Sequence, residues 1–410
     1  MDRSLENTAL HKHALAALEA ADMALAYADM SHLKEVHRFD QITAEWLTEV
    51  LTKDAPGAKC LEVNRKGGHE GMTSRHELAL TWNDEGKNAG LPVNLFVKAT
   101  PENAHLLEML SMLHMAELEC EFYNKAAATV QEHVPKCYFA KSYPGGRFIM
   151  LLETLEDRGI KPYWMGYTPE IAFTKQVAIV QAKIHAAFWD SPRFAEDLVF
   201  VRPRVRRFGQ NWMEALFHKV RKMFLASEIG RECPEYVRNL VQYWDEHCDK
   251  IWAYYDTKPA TIVHGDSHLG NVMEFANGTA GHYDWQCLFR SYGIRDLAYH
   301  VMSGLTVDEV KAHERDIFDL YVDTLAENGV KIDREEAWLD YTVLCLDRFD
   351  SAMTSLSLGG YGHARSALER QVKTLTYITQ SRDVTALLER IVTTNSVLGT
   401  NGTNGTNGLV

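Results

Sequence analysis

Hydrophobic and polar residues follow two kinds of pattern along this chain. Apolar residues of strand length and strand character appear between residues 60 and 99 and again at 148–155. Elsewhere they recur at the three- and four-residue spacing of amphipathic helices, as in 40–52, where Ile42, Leu47 and Leu51 share one face. The pattern predicts strands over 60–65, 75–82, 93–99 and 148–155, and helices over 5–30, 40–52, 104–129, 170–189, 210–256 (as two helices), 307–328, 335–357 and 364–394.

This distribution predicts the fold class α+β, with strands gathered near the start and helices after them. We divide the chain into an N-terminal helical extension (1–55), a sheet-containing lobe (56–155), a mostly helical lobe (156–395) and a tail (396–410). The tail repeats Gly, Thr and Asn, and this low complexity predicts disorder.

The segment 261–286 contains the polar residues with the clearest chemistry. An apolar run leads into His264-Gly265-Asp266, and Asn271 follows five residues after that aspartate. The next two apolar runs flank Asn277-Gly278, a dipeptide typical of a β-hairpin turn, and Asp284 comes at the end of the second run. We therefore expect two carboxylates and one carboxamide to meet at the edge of a loop and a hairpin.

Phosphoryl transfer requires this set of groups. One carboxylate orients the attacking hydroxyl, while an amide oxygen and a second carboxylate hold the magnesium ion that bridges the nucleotide phosphates. Protein kinases place a loop Asp, an Asn five residues later and a further Asp that opens a metal-binding turn. The order Asp266, Asn271, Asp284 matches that arrangement.

The segment resembles the small-molecule phosphotransferases that include aminoglycoside phosphotransferases, choline and ethanolamine kinases and the ecdysteroid-kinase-like group. Their signature is His-Gly-Asp-x-x-x-x-Asn followed by Asp-Trp or Asp-Phe, and this chain has both parts. The resemblance covers about residues 60–380. It implies a bilobal protein-kinase-like fold, with a small antiparallel-sheet N-lobe, a mostly helical C-lobe and the nucleotide between them.

The resemblance also implies a role for each of these side chains. Asp266 is the catalytic base, and Asn271 and Asp284 are the Mg²⁺ ligands. His264 supports the loop geometry, and Asp296, at the start of an Asp-Leu-Ala helix, anchors the catalytic loop.

In the sheet-containing lobe, Lys98 ends an apolar strand where kinases keep the lysine that contacts the nucleotide phosphates. Its partner is expected on the following helix, which carries Glu117, Glu119 and Glu121. The related kinases commonly place the pairing glutamate three residues before a Phe-Tyr pair, which favours Glu119.

Two further segments are implied to contact the nucleotide. The glycine-containing loop 66–74 would approach phosphates through Gly71, Thr73 and Ser74, because glycine backbones and small hydroxyls permit close approach. The segment that leaves the last strand would act as the hinge, where backbone groups near Glu153 and Leu155 read the adenine edge.

The composition and net charge of the chain limit the kinds of binding partner that we expect. Apolar residues make up 46% and charged residues 24% of the 410 residues, as in ordinary globular proteins. The net charge of −13 argues against a nucleic-acid partner and is compatible with a cationic acceptor. No apolar run reaches membrane-spanning length, the N-terminus lacks a signal-peptide core, and the seven cysteines show no paired spacing, so we expect no membrane partner and a cytoplasmic location. The oligomeric state is not indicated.

We therefore predict an ATP- and Mg²⁺-dependent kinase that phosphorylates a hydroxyl of a small molecule such as an amino alcohol, an aminoglycoside-like compound or a sterol. Two alternatives stay open. One is a catalytically silent kinase-like protein that binds a nucleotide or a partner, although Lys98, Asp266, Asn271 and Asp284 are intact. The other is a protein kinase, against which the absence of an Ala-Pro-Glu segment counts.

The aromatic residues of 210–256 could line the acceptor pocket or pack in the core.

Overall fold

A computed structural model of the chain describes residues 35–163, 168–203, 211–357 and 365–401. They form two compact units that divide between Ile160 and Lys161. The first unit is built on an antiparallel sheet and the second is mostly helical, which confirms the predicted α+β, bilobal class. Among these residues, no helix combines the length and apolar character needed to cross a membrane.

Among its described residues, the first unit contains five strands and four α-helices. The strands are β1 (Cys60–Glu70), β2 (Ser74–Trp82), β3 (Asn94–Ala99), β4 (Cys137–Tyr143) and β5 (Arg147–Leu152). The helices are α1 (Ala44–Leu51), α2 (Asp84–Asn88), α3 (Ala104–Met112) and α4 (Met115–Glu121).

The strands of the first unit form one antiparallel sheet in the order β1-β2-β3-β5-β4. Helix α1 begins at the N-cap Thr43, whose hydroxyl accepts a hydrogen bond from the Trp46 amide. It buries Leu47 completely against a core that includes Leu78, Val97 and Leu151. Residues 42–51 of the predicted N-terminal extension therefore pack onto this sheet, whereas the helix predicted over 5–30 lies outside the described residues.

Two predictions about the first unit were wrong. The helix predicted over 104–129 is broken at His114, whose φ of 53° is left-handed and ends α3. After α4 the chain continues as a π-helical turn, Phe122–Ala126, and then a 3₁₀ segment. The first strand does not end at Arg65 but continues to Glu70, so the predicted glycine loop 66–74 is mostly strand.

The second unit contains five short strands and nine helices among its described residues. The strands are β6 (Lys161–Pro162), β7 (Thr261–Val263), β8 (Val272–Glu274), β9 (Ala280–His282) and β10 (Phe289–Ser291). The helices are α5 (Ile171–Ala187), α6 (Asn211–Ala226), α7 (Glu228–Glu232), α8 (Glu235–Tyr255), α9 (Ile294–Gly304), α10 (Val307–Glu327), α11 (Arg334–Ser357), α12 (Arg365–Ser381) and α13 (Val384–Asn401).

The short strands of the second unit form two small antiparallel sheets, β6-β8-β9 and β7-β10. The Asn277-Gly278 turn joins β8 to β9 as predicted, with Gly278 at a φ of 78°. The helices enclose a large core around buried residues such as Leu297, Tyr341 and Leu375.

Helices α6 to α8 contribute aromatic residues to this core rather than to an open surface. Trp244, Trp252 and Tyr255 are each at most 4% exposed and belong to the cluster that holds the helices together. Of the two interpretations of the aromatic residues, core packing therefore applies to these three. At the C-terminal end of the described chain, α13 runs to Asn401, so residues 396–401 of the predicted disordered tail continue a helix that Leu388 and Ile391 anchor in the core.

Candidate active site

The loop that carries Asp266 follows directly from the buried strand β7. Between strand and aspartate, Gly265 adopts a φ of 84°, and a Cβ there would lie 1.9 Å from the carbonyl oxygen of Cys287. Only glycine avoids this collision with the backbone. The His-Gly-Asp form of the loop thus follows from the close approach of the chain after Trp285.

A buried carboxylate on α9 holds this loop in place. Asp296 accepts hydrogen bonds from the backbone amides of His264, at 2.5 Å, and Gly265, at 3.3 Å. Arg295 Nη1 lies 2.9 Å and His185 Nε2 3.5 Å from the same carboxylate. Burial alone would raise the pKa of Asp296, but the hydrogen bond from His185 and the charge of Arg295 outweigh it and lower the pKa well below its usual value. Asp296 is therefore an anion that anchors the loop.

Asp266 presents its two carboxylate oxygens to different surroundings. Its Oδ1 accepts a hydrogen bond of 2.7 Å from the Tyr299 hydroxyl. Among the described residues, the contacts of its Oδ2 are longer, 3.4 Å to Asn271 Nδ2 and 3.5 Å to His268 Nε2, and the side chain is 32% exposed. Desolvation would raise the pKa of Asp266, but the neighbouring His268 and the Tyr299 hydrogen bond lower it. The carboxylate is therefore ionised and accessible to a ligand.

The hairpin brings Asn271 and Asp284 to the same edge. Val272 pairs with His282, and the Tyr283 amide donates to the Asn271 carbonyl at 3.2 Å, which places Asp284 opposite the start of β8. Asp284 has a φ of 65°, a conformation that non-glycine residues rarely adopt and that occurs preferentially at functional sites.

His264 ties the loop to this hairpin. Its Nε2 lies 2.9 Å from the Tyr283 carbonyl oxygen, and its Nδ1 accepts a hydrogen bond of 3.3 Å from the Asp266 amide. Because the two bonds engage both ring nitrogens, His264 is placed as a structural link between the loop and the residue before Asp284.

The donor atoms at this edge suit magnesium. Asn271 directs its Nδ2 to the Asp266 carbonyl oxygen at 2.9 Å, which turns its amide oxygen to the opposite side. A carboxamide oxygen and a carboxylate are hard oxygen donors, and Mg²⁺ is typically bound by one or two carboxylates together with substrate phosphates. In the part of the chain that the structure describes, no group of three or more His, Cys, Asp and Glu residues could hold a metal by itself.

In the first unit, Lys98 and Glu119 form a buried ion pair. Lys98 Nζ lies 2.5 Å from Glu119 Oε2, and both side chains are at most 5% exposed. The neighbouring acids have other partners: Glu117 is 3.0 Å from His114 on the surface, and Glu121 pairs with Lys125. Of the three glutamates considered, the structure therefore brings Glu119 to Lys98.

The glycine turn is tighter than the sequence predicted. Only residues 71–73 separate β1 from β2, and the Gly71 amide donates to the Thr73 carbonyl at 3.1 Å. The Ser74 hydroxyl donates to Glu70 at 2.5 Å and lies 2.9 Å from His76. The Thr73 hydroxyl accepts a hydrogen bond of 3.2 Å from Arg75 Nε. Both hydroxyls thus bond within the hairpin itself.

The predicted hinge residues lie just beyond β5. Glu153 forms two hydrogen bonds with the backbone of Lys136. Its amide donates to the Lys136 carbonyl at 2.9 Å, and its carboxylate accepts from the Lys136 amide at 2.7 Å. The Leu155 carbonyl accepts a hydrogen bond of 3.0 Å from the Ile160 amide. This carbonyl is therefore engaged in a turn that closes the first unit.

The sequence analysis did not identify Tyr299 and Arg348, which support Asp266 but lie far from it along the chain. Tyr299 is three residues after Asp296 on α9, and this helical spacing is the one signal that could have indicated it. Arg348, on α11, has no such local signal.

The site also contains a buried neutral histidine whose effect on stability can be measured. Burial lowers the pKa of His300 to about 4, and its Nδ1 lies 3.1 Å from the Ser267 carbonyl oxygen. Because the folded pKa is below the unfolded value of about 6.5, the unfolded chain binds an extra proton between these two pH values. Stability should therefore fall as the pH drops from 6.5 to 4, by about 3 kcal/mol from this residue.

In a His300→Gln variant this contribution disappears, since glutamine can still donate to Ser267 but does not titrate. The free energy of unfolding, measured by urea denaturation across this pH range, should then depend on pH less steeply, by about one proton. An unchanged slope in the variant would contradict the assignment of His300 as a buried neutral group.

The sequence model of the Ecdysteroid kinase-like family matches residues 72–333, more than half of the chain. No curated protein matches it.

Solved structures similar to this chain include two choline kinases and one aminoglycoside phosphotransferase. The choline kinase of Cryptosporidium parvum Iowa II is 10% identical, with 86% of this chain and 99% of that chain covered and a TM-score of 0.48. Choline kinase LicA of Streptococcus pneumoniae is 15% identical, with 81% and 98% covered and a TM-score of 0.43. The GDP complex of aminoglycoside 2'-phosphotransferase-IIIa is 10% identical, with 86% and 100% covered and a TM-score of 0.45.

Proposed function

The chain belongs to the ecdysteroid kinase-like family, and we propose that it transfers the γ-phosphoryl group of ATP to a hydroxyl of a small organic acceptor. The observation that carries this proposal is the arrangement of Asp266, Asn271 and Asp284 at one edge of a loop and a hairpin. A partly exposed, ionised carboxylate lies there beside a carboxamide and a strained aspartate. Positioning and charge neutralisation are the main requirements of this reaction.

In this proposal, Asp266 orients the acceptor hydroxyl and accepts its proton. The hydroxyl oxygen forms the new bond to the γ-phosphorus, and the bond from that phosphorus to the bridging oxygen breaks. Its electron pair leaves on ADP. The lowered pKa of Asp266 keeps it ionised at neutral pH, so it is ready to accept a hydrogen bond from the hydroxyl before transfer begins.

Asn271 and Asp284 are the residues that would hold Mg²⁺. The bound ion supplies positive charge to the phosphate oxygens during transfer. The protein's own contribution is rigidity: the Tyr283 amide fixes the hairpin to Asn271, and His264 fixes it to the loop. Both ligands are thereby held before any ion binds, which limits the ordering that binding requires.

Lys98 is proposed to contact the α- and β-phosphates of the nucleotide. Its buried pairing with Glu119 fixes the position of the ammonium group and supplies the counter-charge that a buried lysine needs when no ligand is bound. The glycine turn and the hinge segment, including Gly71, Thr73 and Ser74 together with Glu153 and Leu155, are proposed to complete nucleotide binding.

The function is tested by incubating purified protein with ATP, Mg²⁺ and a pooled metabolite library that contains choline, ethanolamine, aminoglycosides, sugars and sterols. We expect mass spectrometry to show one acceptor that gains a single phosphate. An Asp266→Asn variant should lower the rate by roughly 10³-fold, since it keeps the shape of the side chain but cannot accept the proton. Nucleotide binding with no transfer to any acceptor or to water would favour the catalytically silent alternative.

The Lys98–Glu119 pair gives a second prediction with a matched control. A Glu119→Gln variant should raise the KM for ATP and lower kcat/KM by about 100-fold, because Lys98 loses the charge that positions it. Glu117→Gln, two residues away on the surface, should leave both constants within about two-fold of wild type. Steady-state kinetics at varied ATP measure this, and equal effects of the two variants would remove Glu119 from the proposal.

A further inference from the structure

Tyr299 donates its hydroxyl proton to Asp266, and the direction of this bond is set by Arg348. The Tyr299 hydroxyl lies 2.7 Å from Asp266 Oδ1 and 3.1 Å from Arg348 Nη1. A guanidinium can only donate hydrogen bonds. The hydroxyl must therefore accept from Arg348, and its own proton is directed to the carboxylate.

Arg348 is itself fixed by a third helix. Its Nη2 donates to Gln371 Oε1 on α12, and Gln371 Nε2 donates to the Ser303 carbonyl oxygen at 3.3 Å. Its guanidinium carbon also lies 4.8 Å from the centre of the Tyr299 ring. The series Gln371, Arg348, Tyr299, Asp266 thus joins α12, α11 and α9 to the catalytic loop.

The positive charge of Arg348 indicates that this series does more than pack the three helices together. Two other buried arginines of the second unit each pair directly with two carboxylates: Arg221 with Asp245 and Asp350, and Arg295 with Asp296 and Asp347. Arg348 is 2% exposed and, within the described residues, is in no ion pair with a carboxylate.

Its Nε is also buried without a hydrogen-bond partner in that part of the chain. A buried charge is costly unless it is balanced. Asp266, which Arg348 reaches through one hydroxyl, is the anion that its positive charge stabilises.

We propose that Tyr299 and Arg348 are positioning residues for phosphoryl transfer, which hold Oδ1 of Asp266 so that Oδ2 faces the acceptor. The inference rests on the proposed function and assigns the reacting oxygen within it. The acceptor oxygen bonds to the γ-phosphorus, the bridging oxygen leaves on ADP with the electron pair, and the hydroxyl proton passes to Oδ2. Oδ2 suits this role because its contacts with the residues that the structure describes are 3.4 Å or longer.

A Tyr299→Phe variant tests the assignment, because it removes the hydroxyl and keeps the ring. We expect kcat to fall by about 10- to 100-fold, since Asp266 can then rotate away from its productive orientation. The KM for ATP and the Kd for ADP with Mg²⁺ should stay within about two-fold, because neither depends on that orientation. Transfer is followed to the acceptor found in the metabolite screen or, if none is found, to water as release of phosphate.

Arg348 should act through Tyr299, which a double-mutant cycle detects. Arg348→Met should lower kcat, and Arg348→Lys should restore part of it because the charge is kept. The double variant Tyr299→Phe, Arg348→Met should lose less than the product of the two single losses, since Arg348 orients Asp266 through the Tyr299 hydroxyl. Tyr236→Phe, which removes a hydroxyl bonded to the Thr376 carbonyl at 3.0 Å, is the matched control and should leave kcat unchanged.

The possible results separate this inference from the proposed function. If wild-type protein transfers phosphate, Asp266→Asn does not, and Tyr299→Phe retains the wild-type kcat, the inference fails while the proposed function stands. Additive losses in the double variant, or a loss of ADP binding equal to the loss in kcat, would also overturn it and show a merely structural role. A wild-type protein with no Asp266-dependent transfer would refute both.

Discussion

The hydrogen bonds from two backbone amides to the buried carboxylate of Asp296 are the interaction on which the site depends. They fix the turn at His264 and Gly265, which carries Asp266, and the Asp296 carbonyl also accepts a hydrogen bond of 2.9 Å from the Ser267 hydroxyl. The first turn of α9 thus holds the loop on both sides of the aspartate. Removing one member of such a buried charged set typically costs 3–5 kcal/mol, so the geometry of the loop is coupled to the stability of the helical unit.

Two neighbouring residues of α11, Asp347 and Arg348, connect this helix to the charged groups of the site. Asp347 shares Arg295 with Asp296, so a single guanidinium lies between the two buried carboxylates. Arg348, one residue further along the helix, points its charge towards Asp266 through Tyr299. Neighbouring residues of one helix therefore relate differently to the two aspartates: Asp347 shares the arginine that pairs with Asp296, and Arg348 places positive charge near Asp266, the proposed base.

The parts of the site that could be predicted are those encoded in short stretches of sequence. Asp266, Asn271 and Asp284 lie within one loop and hairpin, where a glycine that must avoid the Cys287 carbonyl and an Asn-Gly turn fix the backbone locally. The contact between Tyr299 and Arg348 joins residues 49 positions apart, and Gln371 lies a further 23 along, so only the packing of three helices creates this series. The break at His114 and the length of β1 were missed for a related reason. No glycine or proline beside His114 indicates that a helix ends there. Gly67 and Gly68 led to the prediction of a loop, although they lie within a strand.

The two aspartates of the hairpin region are proposed to have different roles, with Asp284 on the metal and Asp266 on the acceptor. Electron paramagnetic resonance of Mn²⁺, used in place of Mg²⁺ and titrated with ATP, measures this directly. We expect nucleotide-dependent Mn²⁺ binding in wild type, its loss in Asp284→Asn and its retention in Asp266→Asn. Binding that survives in Asp284→Asn, or that is lost in Asp266→Asn, would show that the two aspartates do not divide the roles in this way.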